Sequence, residues 1–187
     1  MDRPDRKLNR LENYDYSRNG LYFITICTKD RVPYLSKVSS VGNAALGVPR
    51  NAITENGIFD VPHVKLTKYG EIVNINIKKI NEIYKYVSVT KYVIMPDHIH
   101  MILFVSDFWD KPLKNGTPRA AFLTKSISQI INGLKSISTK QIGFSIWQKS
   151  FHDHIIRNEK EFLEICDYID NNPINWVNDI YNQNYWR

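Results

Sequence analysis

The sequence has little cysteine and no long apolar run. Two cysteines among 187 residues, Cys27 and Cys166, cannot form the disulfide framework of a small secreted protein, so we expect two reduced thiols. No stretch approaches the roughly 18 apolar residues that a membrane helix needs. Residues 1–12 also lack the apolar core of a signal peptide. These absences predict a cytoplasmic protein that does not contact a membrane.

Acidic residues are missing from one long stretch of the chain. Residues 111–150 contain seven lysines or arginines and no aspartate or glutamate, so the stretch carries +7. The whole chain carries +6, and the remaining residues therefore sum to −1. Positive charge concentrated in one stretch is typical of a surface that binds nucleic-acid phosphates. The alternative is a solvated helix and loop that happen to lack acids.

Length and composition favour one globular domain. Apolar residues make up 43% of the chain and charged residues 24%, which is ordinary for a folded protein. We expect a single domain over residues 1–187. Within it, residues 1–19 form a polar N-terminal arm broken by Pro4, and residues 42–62, with several glycines and prolines, form a loop insertion.

Hydrophobic periodicity predicts the order strand, helix, strand, strand, helix, strand, helix. The predicted strands are residues 21–28, 87–95, 98–105 and 151–156, with a further short strand at 63–66. The predicted helices are residues 67–86, 120–141 and 159–171, the last one ended by Pro173. Thr67 is the expected N-cap of the first helix, whose apolar stripe is expected to contain Ile72, Ile75, Ile80 and Ile83. This order predicts an α+β fold, a ferredoxin-like antiparallel sheet with helices on one face plus an added C-terminal helix. Such a fold hosts many functions and does not decide the chemistry.

Two histidines on one predicted strand are the sharpest local feature. His98 and His100 are two residues apart, so on a strand they project from the same face, about 6.6 Å apart. Two imidazoles so placed can supply two ligands to one divalent metal. Most isolated His-x-His pairs are instead hydrogen-bonded or surface histidines, and His152 and His154 repeat the spacing with no other sign of a metal site.

A third ligand and a nucleophile are found by checking each tyrosine. On a helix, the residue four positions later lies on the same face. Among the eleven tyrosines, Tyr168 alone is followed at that spacing by an amide, acid or imidazole, namely Asn172. Tyr168 and Asn172 are therefore candidates for nucleophile and metal ligand. The alternative is a half-buried helix aromatic and a C-terminal cap before Pro173.

Four sequence blocks span nearly the whole chain. They are NRLE, YDY and YFITICT (9–12, 14–16 and 22–28), VIMPDHIH (93–100), LKS (134–136), and WQ, HIIRNE and YIDNNP (147–148, 154–159 and 168–173). In these blocks and their order, the chain resembles the single-tyrosine HUH transposases, named for a histidine–hydrophobe–histidine motif, and within them the REP-associated tyrosine transposases. Residues 42–62 depart from the family pattern. His152 stands where an aromatic residue is usual, whereas His154 matches without an assigned role.

The resemblance implies a metal-dependent DNA nuclease and strand transferase. It implies that His98, His100 and Asn172 are ligands of Mg²⁺ or Mn²⁺, and that Tyr168 attacks DNA to form a 5′-phosphotyrosine intermediate. The implied partner is single-stranded DNA with a hairpin near the cleavage site. Domain exchange in a homodimer occurs among relatives, which leaves open whether Tyr168 acts within its own chain.

Four basic residues are candidates for DNA contacts. Lys125 and Lys135 lie in the acid-free stretch, and Lys135 is also in a matching block. Arg10 and Arg18 lie near tyrosines in the N-terminal arm, where contacts to unpaired bases and a merely solvated arm are equally compatible with the sequence.

Two other functions compete with the transferase. A non-catalytic ferredoxin-like nucleic-acid-binding module would bind without a metal and form no covalent adduct, although the chain lacks the paired aromatic strand motif of such modules. A metal-dependent hydrolase that uses water as nucleophile would not need Tyr168. A domesticated relative acting on host repeats cannot be separated by sequence from a mobile-element transposase.

Overall fold

The computed structural model describes residues 19–39, 62–106 and 126–184, with side chains described up to Asn178. Most of the predicted N-terminal arm and loop insertion lies outside these residues. Six strands and three helices are present in the described part. They are β1 (Gly20–Cys27), β2 (Ser36–Ser39), β3 (His63–Leu66), α1 (Lys68–Ile83), β4 (Val87–Ile94), β5 (His98–Val105), α2 (Ile127–Ile142), β6 (His152–Ile156) and α3 (Glu159–Asn184).

A four-stranded antiparallel sheet forms the centre of the fold. Its strand order is β4-β5-β1-β6, which is the ferredoxin-like arrangement that the sequence predicts. Strands β2 and β3 pair separately as a two-stranded ribbon. No helix among the described residues is long and apolar enough to cross a membrane.

The two faces of the sheet carry different layers. Helices α1 and α2 pack on one face, where alternate residues of β1 and β5, such as Ile24 and Met101, join a large buried cluster. We call this the α1/α2 face. The other residues of those strands, such as Phe23 and Ile102, meet α3, and we call this the α3 face. Because side chains alternate between the two faces of a strand, the residues of the main core lie on one face of the sheet and His98 and His100 lie on the other.

Local sequence explains how α1 begins, although the predicted buried stripe is partly wrong. The side chain of Thr67 accepts a hydrogen bond from the backbone N–H of Gly70, as predicted for an N-cap. Ile75 and Ile83, expected to face the core, are exposed, whereas Val73 and Ile77 are buried. An isoleucine-rich helix matches more than one apolar stripe, and packing against the sheet selects one of them.

Helix α2 begins later than the predicted position 120. Ser126 has extended backbone angles and forms a capping box with Gln129, in which each side chain receives the other residue's backbone N–H. Because this box satisfies the free N–H groups of the first turn, the helix begins at Ile127. The earlier residues 107–125 lie outside the described part.

Helix α3 also departs from its predicted length. It continues through Pro173 to Asn184 instead of ending near residue 171. A proline inside a helix removes one backbone hydrogen bond and costs about 3 kcal/mol or more. Packing of the same helix on the sheet through buried Ile169 offsets that cost. Asn172 is therefore an interior helical residue, and its interpretation as a C-terminal cap is wrong.

Candidate active site

Strand β5 brings His98 and His100 side by side on the α3 face. The two side chains point in the same direction because they are two residues apart on a strand. Ile99, between them, points the opposite way and packs on the α1/α2 face. The ring centroids of the two histidines are 4.5 Å apart, and the residues are only 8% and 6% exposed. The centre of the sheet thus holds two buried imidazoles close enough to act on one ligand.

Asp97 determines which nitrogen of His98 is free. The Asp97 carboxylate lies 2.5 Å from Nδ1 of His98. Burial raises the pKa of Asp97, but the hydrogen bond and charge of His98, together with Arg31, outweigh burial and lower it. An ionised carboxylate can only accept a hydrogen bond, so Nδ1 of His98 donates. Nε2 is left to face α3.

A left-handed turn places a cation next to Asp97. Asp30 and Arg31, in a short turn after β1, have φ angles of 54° and 55°. Non-glycine residues adopt this conformation at a cost of roughly 1–2 kcal/mol each. The guanidinium of Arg31 lies 3.5 Å from the Asp97 carboxylate. The positive charge of Arg31 therefore stabilises the ionised carboxylate of Asp97, and that carboxylate orients His98 through a hydrogen bond.

His100 is neutral and hydrogen-bonded on both nitrogens. Burial, followed by the positive charges of His98 and Arg31, lowers the pKa of His100 to about 3. Nδ1 lies 2.9 Å from the hydroxyl of Thr25 on β1, and Nε2 lies 3.3 Å from the hydroxyl of Tyr168. When the ring proton is on Nδ1, Nδ1 donates a hydrogen bond to the hydroxyl of Thr25, and Nε2 accepts one from the hydroxyl of Tyr168.

Helix α3 brings Tyr168 and Asn172 to the two histidines, one turn apart. The side-chain oxygen Oδ1 of Asn172 lies 3.3 Å from Nε2 of His98, and Asn172 is buried. The hydroxyl of Tyr168 contacts His100, and the residue as a whole is 45% exposed. The i, i+4 spacing found in the sequence therefore places each residue next to a different histidine.

Two aromatic rings line the site. Phe23 stacks on the His100 ring, with centroids 5.2 Å apart, and meets the Tyr168 ring edge-on at 6.0 Å. The centroid of the Trp176 ring, on α3, lies 5.9 Å from the centroid of the His98 ring. These rings limit the rotation of both imidazoles and of the tyrosine. The spacing arguments do not reveal Phe23, because it lies on a strand far away in sequence, whereas Trp176 lies four positions after Asn172 on the same helix.

The donor set fits a small divalent cation. When His98 is neutral and the Asn172 amide is oriented as in this structure, Nε2 and Oδ1 face each other with lone pairs at 3.3 Å. A cation between them, a proton on Nε2 or a turned amide that donates its NH2 group would each make this contact favourable. Neighbouring ligands of an octahedral ion with bonds of about 2.1 Å are about 3 Å apart, close to the observed separation. No three His, Cys, Asp or Glu side chains of the described part could hold a metal, so a cation held here would need the Asn172 amide as its third donor.

The predicted DNA-contacting residues have different outcomes. Lys125, Arg10 and Arg18 lie outside the described residues. Lys135 is buried, and its ammonium group donates to the backbone carbonyl groups of three consecutive residues, Gln148, Lys149 and Ser150. An ammonium has three N–H donors, and here all three have partners inside the protein. The prediction that Lys135 contacts a DNA phosphate does not fit this arrangement; the residue holds the turn before β6.

The structure also locates the two histidines without assigned roles. His154 lies 2.6 Å from the Glu161 carboxylate in the first turn of α3, and Asn158 caps the same turn. His154 therefore ties strand β6 to the helix that carries Tyr168. His152 is exposed and pairs with Thr25, which in turn pairs with His100, so the three residues form one row across the sheet.

Three residues of the site were missed by sequence reasoning. Thr25, Phe23 and Arg31 approach the histidines from β1 and the turn after it. The buried, patterned strand was recognised, but no local signal tells which of its residues face the histidines. Asp97 is not among the predicted site residues either, although its position directly before His98 could indicate an orienting carboxylate.

Two Haemophilus influenzae proteins are similar in sequence over most of their length. No protein-family model matches the chain. An uncharacterized protein is 30% identical over 188 residues, covering 93% of this chain and 91% of that protein. A second protein, which carries the provisional name REP-associated tyrosine transposase, is 26% identical over 170 residues, covering 88% of this chain and 77% of that protein.

A solved structure has the same fold. It is a REP-associated tyrosine transposase bound to a REP hairpin, with a TM-score of 0.54 and 20% sequence identity. The match covers 89% of this chain and 74% of that one. At this identity the similarity establishes the fold alone. The chain belongs in one family with the uncharacterized Haemophilus influenzae protein, and it resembles the REP-associated tyrosine transposases in both sequence and fold.

Proposed function

We propose that the protein is a transposase-like endonuclease and strand transferase that acts on single-stranded DNA next to a hairpin. Its sequence similarity to a REP-associated tyrosine transposase supports a transposase. The REP hairpin bound to the protein of the same fold supports a hairpin-bearing substrate. The observation that carries the chemistry is the contact between the Tyr168 hydroxyl and Nε2 of His100, beside His98 and Asn172.

Tyr168 is the proposed nucleophile. Its oxygen attacks the scissile phosphorus, a bond from phosphorus to the tyrosine oxygen forms, and the bond to the 3′ oxygen breaks. The tyrosine loses its proton and the departing 3′ oxygen gains one, so a 5′-phosphotyrosine and a 3′-hydroxyl result. Because the phosphoester is conserved, another 3′-hydroxyl can reverse the step and join a different strand.

His98, His100 and Asn172 would hold Mg²⁺ or Mn²⁺ in this proposal. The cation, when bound, offsets the charge that develops on the phosphate oxygens. Asp97 keeps the proton of His98 on Nδ1 and so keeps Nε2 free. Nε2 of His100 has one lone pair, so its use as a ligand releases the Tyr168 hydroxyl from the hydrogen bond that it makes in this structure.

Covalent capture of a labelled DNA hairpin with a single-stranded flank tests the proposal. Wild-type protein with Mn²⁺ should give an adduct that survives denaturing electrophoresis, and Tyr168→Phe or a chelator should abolish it. Tyr92→Phe is the matched control, because Tyr92 belongs to the α1/α2 face and its hydroxyl donates to Asn74 there. An adduct formed by Tyr168→Phe would refute the role of Tyr168.

The same experiment separates the competing functions. Binding without any adduct, unchanged by chelator, would identify a nucleic-acid-binding module. Metal-dependent cleavage that persists in Tyr168→Phe, without an adduct, would identify a hydrolase that uses water. Mixing Tyr168→Phe with His100→Ala would then test whether two inactive chains restore activity, as expected if Tyr168 acts on the site of a second copy in a homodimer.

A further inference from the structure

The β2/β3 ribbon has a basic solvent face. Lys37 lies directly opposite Lys65, and Ser39 lies opposite His63. All four residues are exposed, whereas the alternate positions, such as Ser36 and Val64, are buried or partly buried. The period of two along each strand therefore collects both lysines on the outer face of the ribbon.

The opposed lysines have an energetic cost in the free protein. Directly opposite side chains on antiparallel strands have Cβ atoms about 5 Å apart, and like charges in such a pair are destabilising. Neither Lys37 nor Lys65 forms a salt bridge with any residue of the described part. An anion bound between the two ammonium groups would turn this repulsion into a favourable interaction.

The base of the ribbon is fastened next to the candidate active site. The backbone N–H of Leu35 donates to the carbonyl of Pro96, two residues before His98, over 2.9 Å. Thr67, just after β3, donates its N–H to the carbonyl of Leu35, also over 2.9 Å. Strand β2 also contacts α3.

Close packing keeps this base rigid. A Cβ atom at Gly70, in the first turn of α1, would lie 2.0 Å from the Leu35 carbonyl oxygen, so glycine permits the approach. Lys37 is two residues from Leu35, which places the backbone of Lys37 within about 20 Å of that of His98. The basic face therefore has a defined position relative to the site of cleavage.

We propose that Lys37 and Lys65 bind the phosphate backbone of the hairpin stem while the flanking strand occupies the active site. The inference rests on the proposed function and adds a surface to it. A two-stranded ribbon is of a size that double-stranded DNA accepts in its major groove. A separation of no more than about 20 Å corresponds to at most roughly six base pairs of duplex, so one substrate can reach both places.

The salt dependence of DNA binding tests the inference. The variant Lys37→Gln/Lys65→Gln removes two charges, and the slope of log K against log salt for the hairpin should fall by about 1.8. The control Lys78→Gln/Lys79→Gln removes two exposed charges from α1 and should leave the slope unchanged. The melting temperature of the ribbon variant without DNA should equal or exceed that of the wild type, because a repulsion is removed.

Two DNA probes make the outcomes distinct. With the single-stranded flank alone, the slope should not differ between wild type and ribbon variant; a decrease there would overturn the assignment to the stem. An unchanged slope with the hairpin, in a protein that still forms the Tyr168 adduct, would overturn the inference alone. If the wild type neither binds the hairpin nor forms an adduct, the proposed function fails and the inference fails with it.

Discussion

The two faces of the central sheet differ in what holds them together. On the α1/α2 face, helices and strands share one continuous buried cluster that includes Ile24, Ile77, Met101 and Ile130. On the α3 face, the buried apolar residues are Ile102, Ile156 and Ile169. Next to this small cluster lie buried His98, His100 and Asn172.

Polar contacts add to the apolar packing of α3 on the sheet. Glu161 reaches His154 on β6, and Asp170 reaches Lys91 on β4 over 2.7 Å. Exposed ion pairs contribute little stability, typically below about 1 kcal/mol each. They do, however, fix where the helix sits along and across the sheet. The comparison shows a division of work, in which the α1/α2 face stabilises the fold and the α3 face positions reactive groups.

The largest expected change in stability comes from the α1/α2 face. Ile77→Ala should lower the free energy of unfolding by about 2–5 kcal/mol, since Ile77 is fully buried. Ile75→Ala on the exposed side of the same helix is the control and should change it by less than about 0.5 kcal/mol. Urea denaturation measures both. Loss of adduct formation by folded Ile77→Ala protein would contradict the separation of the two faces.

A smaller effect, seen in metal binding, is expected from the α3 face. Asp97→Ala removes the acceptor of His98 Nδ1, and loss of such an orienting group typically weakens metal binding about 10–100-fold. Asp97→Asn keeps an acceptor and should weaken it less. Calorimetric titration with Mn²⁺ measures the affinity. The control Glu82→Gln removes a charge of the same sign from an exposed position on α1, and equal losses in Asp97→Ala and Glu82→Gln would reject the orienting role.

The smallest expected effect concerns pH and the start of α3. The backbone N–H of Arg157 and the side chain of His154 lower the pKa of Glu161 from its usual value. A carboxyl with a lowered pKa in the folded state stabilises it above the unfolded pKa, and that contribution is lost as pH falls through the folded pKa. Glu161→Gln should therefore be less stable than wild type at pH 7, with the difference shrinking below about pH 4.5. A difference in melting temperature that grows on acidification would contradict this.

Local patterns grouped the four central side chains of the candidate site into two pairs. The His98–His100 pair and the Tyr168–Asn172 pair each follow from the period of one element, and the structure brings the two pairs together. The Ser126 capping box, by contrast, was present in the sequence and overlooked. Ribbon strand β2 was missed, because its four residues, two of them serines, carry a weak pattern and gain their structure by pairing with β3.

The errors share one physical cause, which is that local rules compete with distant contacts. Proline normally ends a helix, but the packing of α3 on the sheet carries the helix past Pro173. Lysine in an acid-free stretch suggests a free charge, but Lys135 finds three carbonyl groups of the turn before β6. Neither partner can be identified by composition or spacing, because the contacts join segments whose meeting depends on the whole fold.

The close approach at Gly70 constrains how this sequence can vary. Glycine is normally a poor choice within a helix, and most helical positions accept many residues. At Gly70 even the methyl group of alanine would clash with the carbonyl oxygen of Leu35. Any substitution must therefore move α1 away from Leu35, the residue that directly precedes β2 and hydrogen-bonds to Pro96. Gly70 has no side chain and no catalytic chemistry, yet we expect its position to tolerate substitution poorly. It sets the spacing between β5, which carries the histidines, and the β2/β3 ribbon.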